Sequence, residues 1–274
     1  MKLQLNKLVV VTALAATQQA ASAATVDDAL KLYDAARYAD AARVLQAMPD
    51  SNGRAKGMLC ELYARSLVQG EPADTAQVCA AAAAAHDPHG LLTLAIAHAQ
   101  QNPPAGITHD DTATLRYLSE AAGQNFPPAF DTFCDYFYSK REYGQAAPFC
   151  KVAAAAKLPG SMYRMAQMLF DGKGAVQNFD KGRAFALASA RMNYAPAYAL
   201  LGDQARDGSM GSPRDPVQAY AWYSLATSAA PDWNEPVSSR DALRLSGEQV
   251  VAAQKVAAAW STQPTPRNRD FYRN

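Results

Sequence analysis

Four cysteines and four histidines are the residues of this 274-residue chain best equipped to do chemistry. His86 and His89 flank Asp87-Pro88 at a predicted helix–helix turn, so His86, Asp87 and His89 are conceivable zinc ligands. The spacing supplies no further ligand of fixed geometry, and turn polarity accounts for the three more simply. His98 occupies an aromatic position of a predicted helix and reads as a packed ring. His109-Asp110-Asp111 reads as a helix start, where carboxylates complement the positive end of the helix dipole. A Gly-x-Ser-x-Gly nucleophile turn is absent, and Ser139-Lys140 are adjacent rather than spaced as a Ser-x-x-Lys pair. The expectation is a protein with no catalytic residues, no metal and no cofactor.

The cysteines point elsewhere. None forms Cys-x-x-Cys, so neither a redox pair nor a zinc clip is indicated. Leu59-Cys60-Glu61-Leu62-Tyr63 aligns with Phe133-Cys134-Asp135-Tyr136-Phe137: large, small, two variable residues, aromatic. Val78-Cys79 aligns with Phe149-Cys150, each leading into an Ala-rich run. Coincident registers describe a repeat array of paired helices. Four cysteines allow three pairings; register selects Cys60–Cys79 and Cys134–Cys150, because each bridge then lies inside one hairpin. Loops of this length are stabilised by about 3 kcal/mol per bridge in the chain-entropy model.

Disulfides require an oxidising compartment, and the N-terminus carries an export pattern. Lys2 and Lys7 precede the apolar run Leu8 to Ala16, and Ala21-Ser22-Ala23 offers a small-x-small cleavage site. Residues 1–24 therefore read as a cleavable secretory signal, too short in its apolar part to anchor the chain. No later segment suits a membrane span. Removing Lys2 and Lys7 takes the net charge from +1 to −1. A near-neutral chain without a basic block argues against nucleic acid and against strong attraction to anionic lipid. The expected location is the bacterial periplasm or the exterior.

The elements that position these residues are helices. Strong helix formers dominate, Val and Ile are sparse, and no strand-like alternation persists, so the fold class is all-α. A ladder of small residues on the first helix of each unit runs Cys60, Ala95, Cys134, Ala166, Gly202, with gaps of 35, 39, 32 and 36. A ladder of large residues on the second runs Val78, Tyr117, Phe149, Phe185, Trp222, with gaps of 39, 32, 36 and 37. Small contact residues let helices approach closely, and units that cannot bury both faces alone must stack. The architecture expected is an α/α solenoid of antiparallel hairpins. Asp171-Gly172-Lys173-Gly174 and Asp207-Gly208 end two of the first helices, with glycine suited to the left-handed C-terminal position.

At these residues the chain resembles the Sel1-like repeat family, relatives of the tetratricopeptide repeat. Leu201-Gly202, Gly208, Asp215, Ala219, Trp222 and Ala226 match its pattern, as do Met165-Ala166, Gly172, Gly174, Lys181, Phe185 and Ala190 more loosely. The units at 161–194 and 197–230 are clearest; those at 55–86, 91–124 and 129–158 are degenerate. With flanking pieces the division is a signal peptide at 1–24, a tetratricopeptide-like hairpin at 25–50, about five repeats over 51–235, a capping helix within 236–262 and a mobile tail at 263–274. Ser246 and Gln249 form a capping box for the last helix.

Variable slots on first helices line the inner curve of this architecture. They are filled by Glu61, Asp135, Tyr136, Gln167, Asp203 and Gln204, a mixed and mostly polar groove. Tyr136 lies in the densest aromatic stretch, Phe126 to Tyr143, and tyrosine offers binding area at low entropic cost. The resemblance implies a non-catalytic scaffold for a protein or peptide partner, with roles in envelope signalling or assembly. The competing expectation is an envelope hydrolase of the β-lactamase or penicillin-binding type, since some cysteine-rich relatives have been linked to those activities. It requires an activated serine or a metal near His86 and His89, and the close-set cysteine pattern of that branch is not seen here. A thiol-based redox protein is the minor third option.

Overall fold

The computed structural model describes residues 24–49, 51–68, 72–104 and 106–264. Apart from Ala24, the expected signal lies outside them, as does the tail from residue 265. Fourteen helices and no strands occur among the described residues. Six hairpins follow in order: α1 (Val26–Asp34) with α2 (Tyr38–Gln46), α3 (Gly53–Ala64) with α4 (Pro72–Ala84), α5 (Pro88–Ala99) with α6 (Asp111–Gly123), α7 (Pro127–Ser139) with α8 (Tyr143–Ala155), α9 (Pro159–Asp171) with α10 (Phe179–Arg191), and α11 (Ala195–Asp207) with α12 (Pro216–Ala229). A short α13 (Asn234–Asp241) and α14 (Gly247–Ala258) pack against α12. The molecule is an all-α solenoid of stacked antiparallel hairpins.

The hairpins stack through a turn that recurs. A residue in the left-handed region ends the second helix, the chain extends for one or two residues, and a proline opens the next first helix. The left-handed residues are His86, Asn125, Lys157 and Asn193, all with φ between 54° and 62°; the prolines are Pro88, Pro127, Pro159 and Pro196. Each turn residue follows its ladder residue (Val78, Tyr117, Phe149, Phe185) by the same number of positions, so its gaps of 39, 32 and 36 repeat those of the large ladder. At Lys157 the geometry is that of a Schellman cap: the Leu158 amide donates back to the Ala153 carbonyl at 3.1 Å. Leu158 is buried, and Pro159 cannot continue a helix but is preorganised to start one. An L-residue here carries a steric cost that glycine lacks. Lys157→Gly is expected to raise stability by about 0.5–1 kcal/mol, read from the urea midpoint at unchanged slope.

Within each hairpin the small ladder permits close approach. A Cβ on Gly202 would sit 2.7 Å from the Tyr223 ring of α12, inside van der Waals contact. Cys60 and Cys134, at the same rung, instead reach across to their partner helices. Cys60 is bonded to Cys79 and Cys134 to Cys150, closing separations of 19 and 16 residues, each within one hairpin. No free cysteine occurs among the described residues.

The two paired glycines serve as helix stops. Gly172 and Gly208 cap α9 and α11 with φ of 68° and 64°, and Asn178 and Asp215 then accept amides at the starts of α10 and α12. The far end is closed differently from the single capping helix expected. Two helices occupy that stretch. Ser246 accepts from the Gln249 amide while Gln249 accepts from the Ser246 amide, the anticipated box. After α14, Trp260 folds back onto Trp222 (ring centroids 4.8 Å apart) and donates from Nε1 to the Tyr198 hydroxyl at 3.1 Å.

Candidate binding groove

First helices touch one another along the array, α3 with α5 and α7 with α9, whereas α4, α6, α8 and α10 make no comparable contacts among themselves. The odd-numbered helices therefore line the inner face. The residue after each small-ladder position faces it: Glu61, Ile96, Asp135, Gln167 and Asp203 all line clefts on this side. Ile96 and Gln100 border both the cleft at Glu61 and the central one, so the two are continuous.

At the N-terminal end Glu61 is largely buried and fully engaged. It accepts from the Tyr33 hydroxyl at 2.9 Å and Arg65 at 2.8 Å, and its other oxygen lies 2.5 Å from His89 Nε2. This joins α1, α3 and α5. Burial pushes the Glu61 carboxyl up, but the hydrogen bond and charge of His89, with Arg65 and Tyr33, outweigh it and hold the group at about 2. A carboxyl depressed on folding adds stability that is complete above its unfolded value of 4.5 and is lost as pH falls toward 2. Glu61→Gln is expected to cost about 2 kcal/mol at pH 7 and to flatten the acid limb of the stability curve between pH 4.5 and 2, measured by urea titration at each pH.

The central cleft, about 860 Å³, lies between α5, α7 and α9. Asp135 accepts from Arg164 at 2.7 Å, and that guanidinium lies between the Tyr138 and Tyr163 rings, 4.6 and 5.4 Å from their centroids. The Tyr136 hydroxyl accepts from Lys140 at 2.6 Å, and Lys140 also binds Asp111 at 2.7 Å. Lys140 holds the Asp111 carboxyl below its usual range. On the floor, Asp131 accepts from the Ser161 amide at 3.0 Å and its hydroxyl at 2.5 Å. Burial raises the Asp131 carboxyl, opposed by Ser161. The cleft thus presents two ion-paired carboxylates, Asp111 and Asp135, and a third, Asp131, held by Ser161, with Tyr136 and Tyr194 in its walls.

Toward α11, Gln167 donates to the Tyr163 hydroxyl at 3.0 Å and Asp203 accepts from the Tyr223 hydroxyl at 2.7 Å. Gln204 departs from the expectation. Only 1% of it is exposed, and its amide donates to Met210 Sδ at 3.4 Å beneath the α11–α12 connection. Tyr136 occupies the equivalent slot but is long enough for its hydroxyl to reach the cleft; Gln204 follows the helix rotation into the interior.

Sequence reasoning missed Arg164, Lys140 and Asp131. A signal was present: Asp111–Lys140 and Asp135–Arg164 are each 29 residues apart, and Asp131–Ser161 is 30. The last two spacings are the step from α7 to α9, and the first is the step from the start of α6 to the end of α7. The histidines part company: His86 pairs with Glu120 at an exposed turn, while His89 is buried against Glu61. His98 stacks on Tyr117, and Asp110 caps α6. No group of three or more metal-ligating side chains occurs among the described residues, nor any helix long and apolar enough to cross a membrane.

Stacked antiparallel helix pairs with a lined inner face define the class: an α/α repeat protein. Residues 159–194 and 195–230 each match the Sel1 repeat, so that span carries two Sel1 repeats. Three solved structures are similar. A protective antigen of uropathogenic Escherichia coli displaying an SLR fold superposes with a TM-score of 0.72 at 18% identity, covering 85% of this chain and 52% of that one. The chain thus spans about half the antigen's length. A Sel1 repeat protein from Oxalobacter formigenes gives 0.68 at 20% identity, covering 86% and 97%. A Pseudomonas aeruginosa protein gives 0.51 at 18%, covering 76% and 85%. At these identities the likeness is one of fold. By sequence, no curated protein matches the chain.

Proposed function

We propose that the protein is an exported, non-catalytic scaffold that holds an extended segment of a protein partner along its inner face, in the bacterial envelope. The observation that carries this reading is the run of clefts from Glu61 through Asp135 to Asp203, lined by side chains already locked by their neighbours. Solenoids recognise partners on such surfaces, and preorganised side chains lower the entropic cost of binding. The two disulfides suit an oxidising compartment. The reading includes removal of residues 1–24, a tetratricopeptide-like hairpin at 25–50, repeats over 51–235 and a C-terminal cap within 236–262.

A photo-crosslinking residue at Ile96, Asp135 or Gln167, tested in cells of the source organism, is expected to trap one discrete protein adduct. The same residue at Val152, exposed on α8, is expected to trap none. Equal adducts from both faces, or none from the groove, sink the reading. Intact mass from the envelope fraction checks export: the expected mass lacks residues 1–24 and four thiol protons.

A further inference from the structure

Lys140 and Arg164 line the centre of the groove, but among the described residues no cation lines its C-terminal end. A cleft of about 250 Å³ lies between α9, α11 and the connection into α13. Its walls include Tyr163, Tyr223 and Trp233, its rim holds Asp203 and Glu235, and Gln167 contributes an amide. Among the described residues no Lys, Arg or His lines it. Arg164 pairs with Asp135, and Arg206 bridges Asp207 at 2.7 Å and Asp203 at 3.1 Å, which leaves Glu235 as the carboxylate of this cleft without an ion-pair partner among the described residues. Asp203 and Glu235 border the same cleft. After burial, both carboxylates help raise the Tyr163 hydroxyl, against Arg164. The Tyr223 hydroxyl stays protonated, chiefly through burial, and orients Asp203. Glu235 is exposed and makes no hydrogen bond or ion pair with another described side chain. Trp233 stacks on no other ring among the described residues.

Aromatic faces attract cations by their quadrupole, and two carboxylates beside them add charge-assisted hydrogen bonds. We propose that this cleft is the anchor subsite of the groove and takes a cationic side chain, arginine or lysine, from the bound segment. The inference rests on the groove reading and specifies the partner's chemistry: an extended segment with a basic residue, held at the α11 end while its remainder crosses the central cleft. Charge complementarity singles out this occupant, since an acidic side chain would meet the unpaired Glu235 carboxylate and no cation among the described lining residues.

The probe is N-acetyl-arginine amide, titrated into the oxidised full-length protein and followed by indole N–H signals. The chain has three tryptophans, and Trp260, packed on Trp222, serves as the internal reference. The Trp233 signal is expected to move saturably, with a Kd on the order of 1–10 mM, while the Trp260 signal stays still. N-acetyl-lysine amide should act similarly, and N-acetyl-glutamine amide should not. Glu235→Gln, at an exposed site, is expected to weaken binding about fivefold, and raised salt should do likewise. No saturable Trp233 shift, equal shifts with the glutamine compound, or unchanged affinity in Glu235→Gln each overturns the proposal. Groove crosslinks that persist in Glu235→Gln alongside such a failure would overturn the cationic anchor alone; loss of the crosslinks in the wild type overturns the groove itself.

Discussion

Replacing Cys60, Cys79, Cys134 and Cys150 together by alanine is expected to leave the protein largely unfolded at 37 °C. The bridges close loops of 19 and 16 residues, each stabilising by about 3 kcal/mol through restriction of the unfolded chain. Their sum is of the order of a domain's whole net stability, about 5–15 kcal/mol. The sulfurs are also buried between the helices of these two hairpins, since all four residues are essentially inaccessible, so alanine leaves voids as well. Helical circular dichroism against temperature checks this. Each single-bridge variant should fall roughly halfway, and a quadruple variant melting within a few degrees of the wild type would show that the hairpins hold without their staples.

The second large effect is expected from Trp222→Ala, at about 3–5 kcal/mol. Trp222 is 7% exposed and lies between the Tyr198 and Trp260 rings, at centroid distances of 6.1 and 4.8 Å. Its loss opens a cavity and removes the surface on which Trp260 closes the array. Damage should therefore be directional. Amides of α14 are expected to exchange with solvent far faster, while those of α1–α4 keep their protection, because repeats contact only their neighbours. Uniform loss of protection along the chain would contradict that picture; unchanged exchange in α14 would show that Trp260 does not hold the cap.

Much of this architecture could be read from residue types. The cysteine pairing was legible because two independent ladders, one small and one large, placed both bridges in the same register. Gly172 and Gly208 were legible as stops because the left-handed conformation at a helix end favours glycine. The groove was only half visible. Asp135 and Tyr136 project from slots that helical periodicity defines, but Arg164 reaches Asp135 from 29 residues away, an offset set by how hairpins stack, and Lys140 on the Tyr136 hydroxyl is tied to Asp111 over the same distance in sequence. Gln204 occupied a groove slot by number and the interior in fact, since periodicity gives a direction and not the length of the side chain that must follow it. The short α13 escaped notice because Pro236 is its one buried residue, leaving no apolar stripe. Trp233, which caps that helix, was overlooked with it.

Both sulfur links begin and end inside a single hairpin. They leave the angle between neighbouring hairpins to side-chain contact alone, so the rod can bend without straining a covalent bond. Under tension the same arrangement hides length. When the array is pulled from its ends, about 35 residues held within the two closed loops contribute no extension, and the fully drawn oxidised chain stays roughly 120 Å shorter than its reduced counterpart.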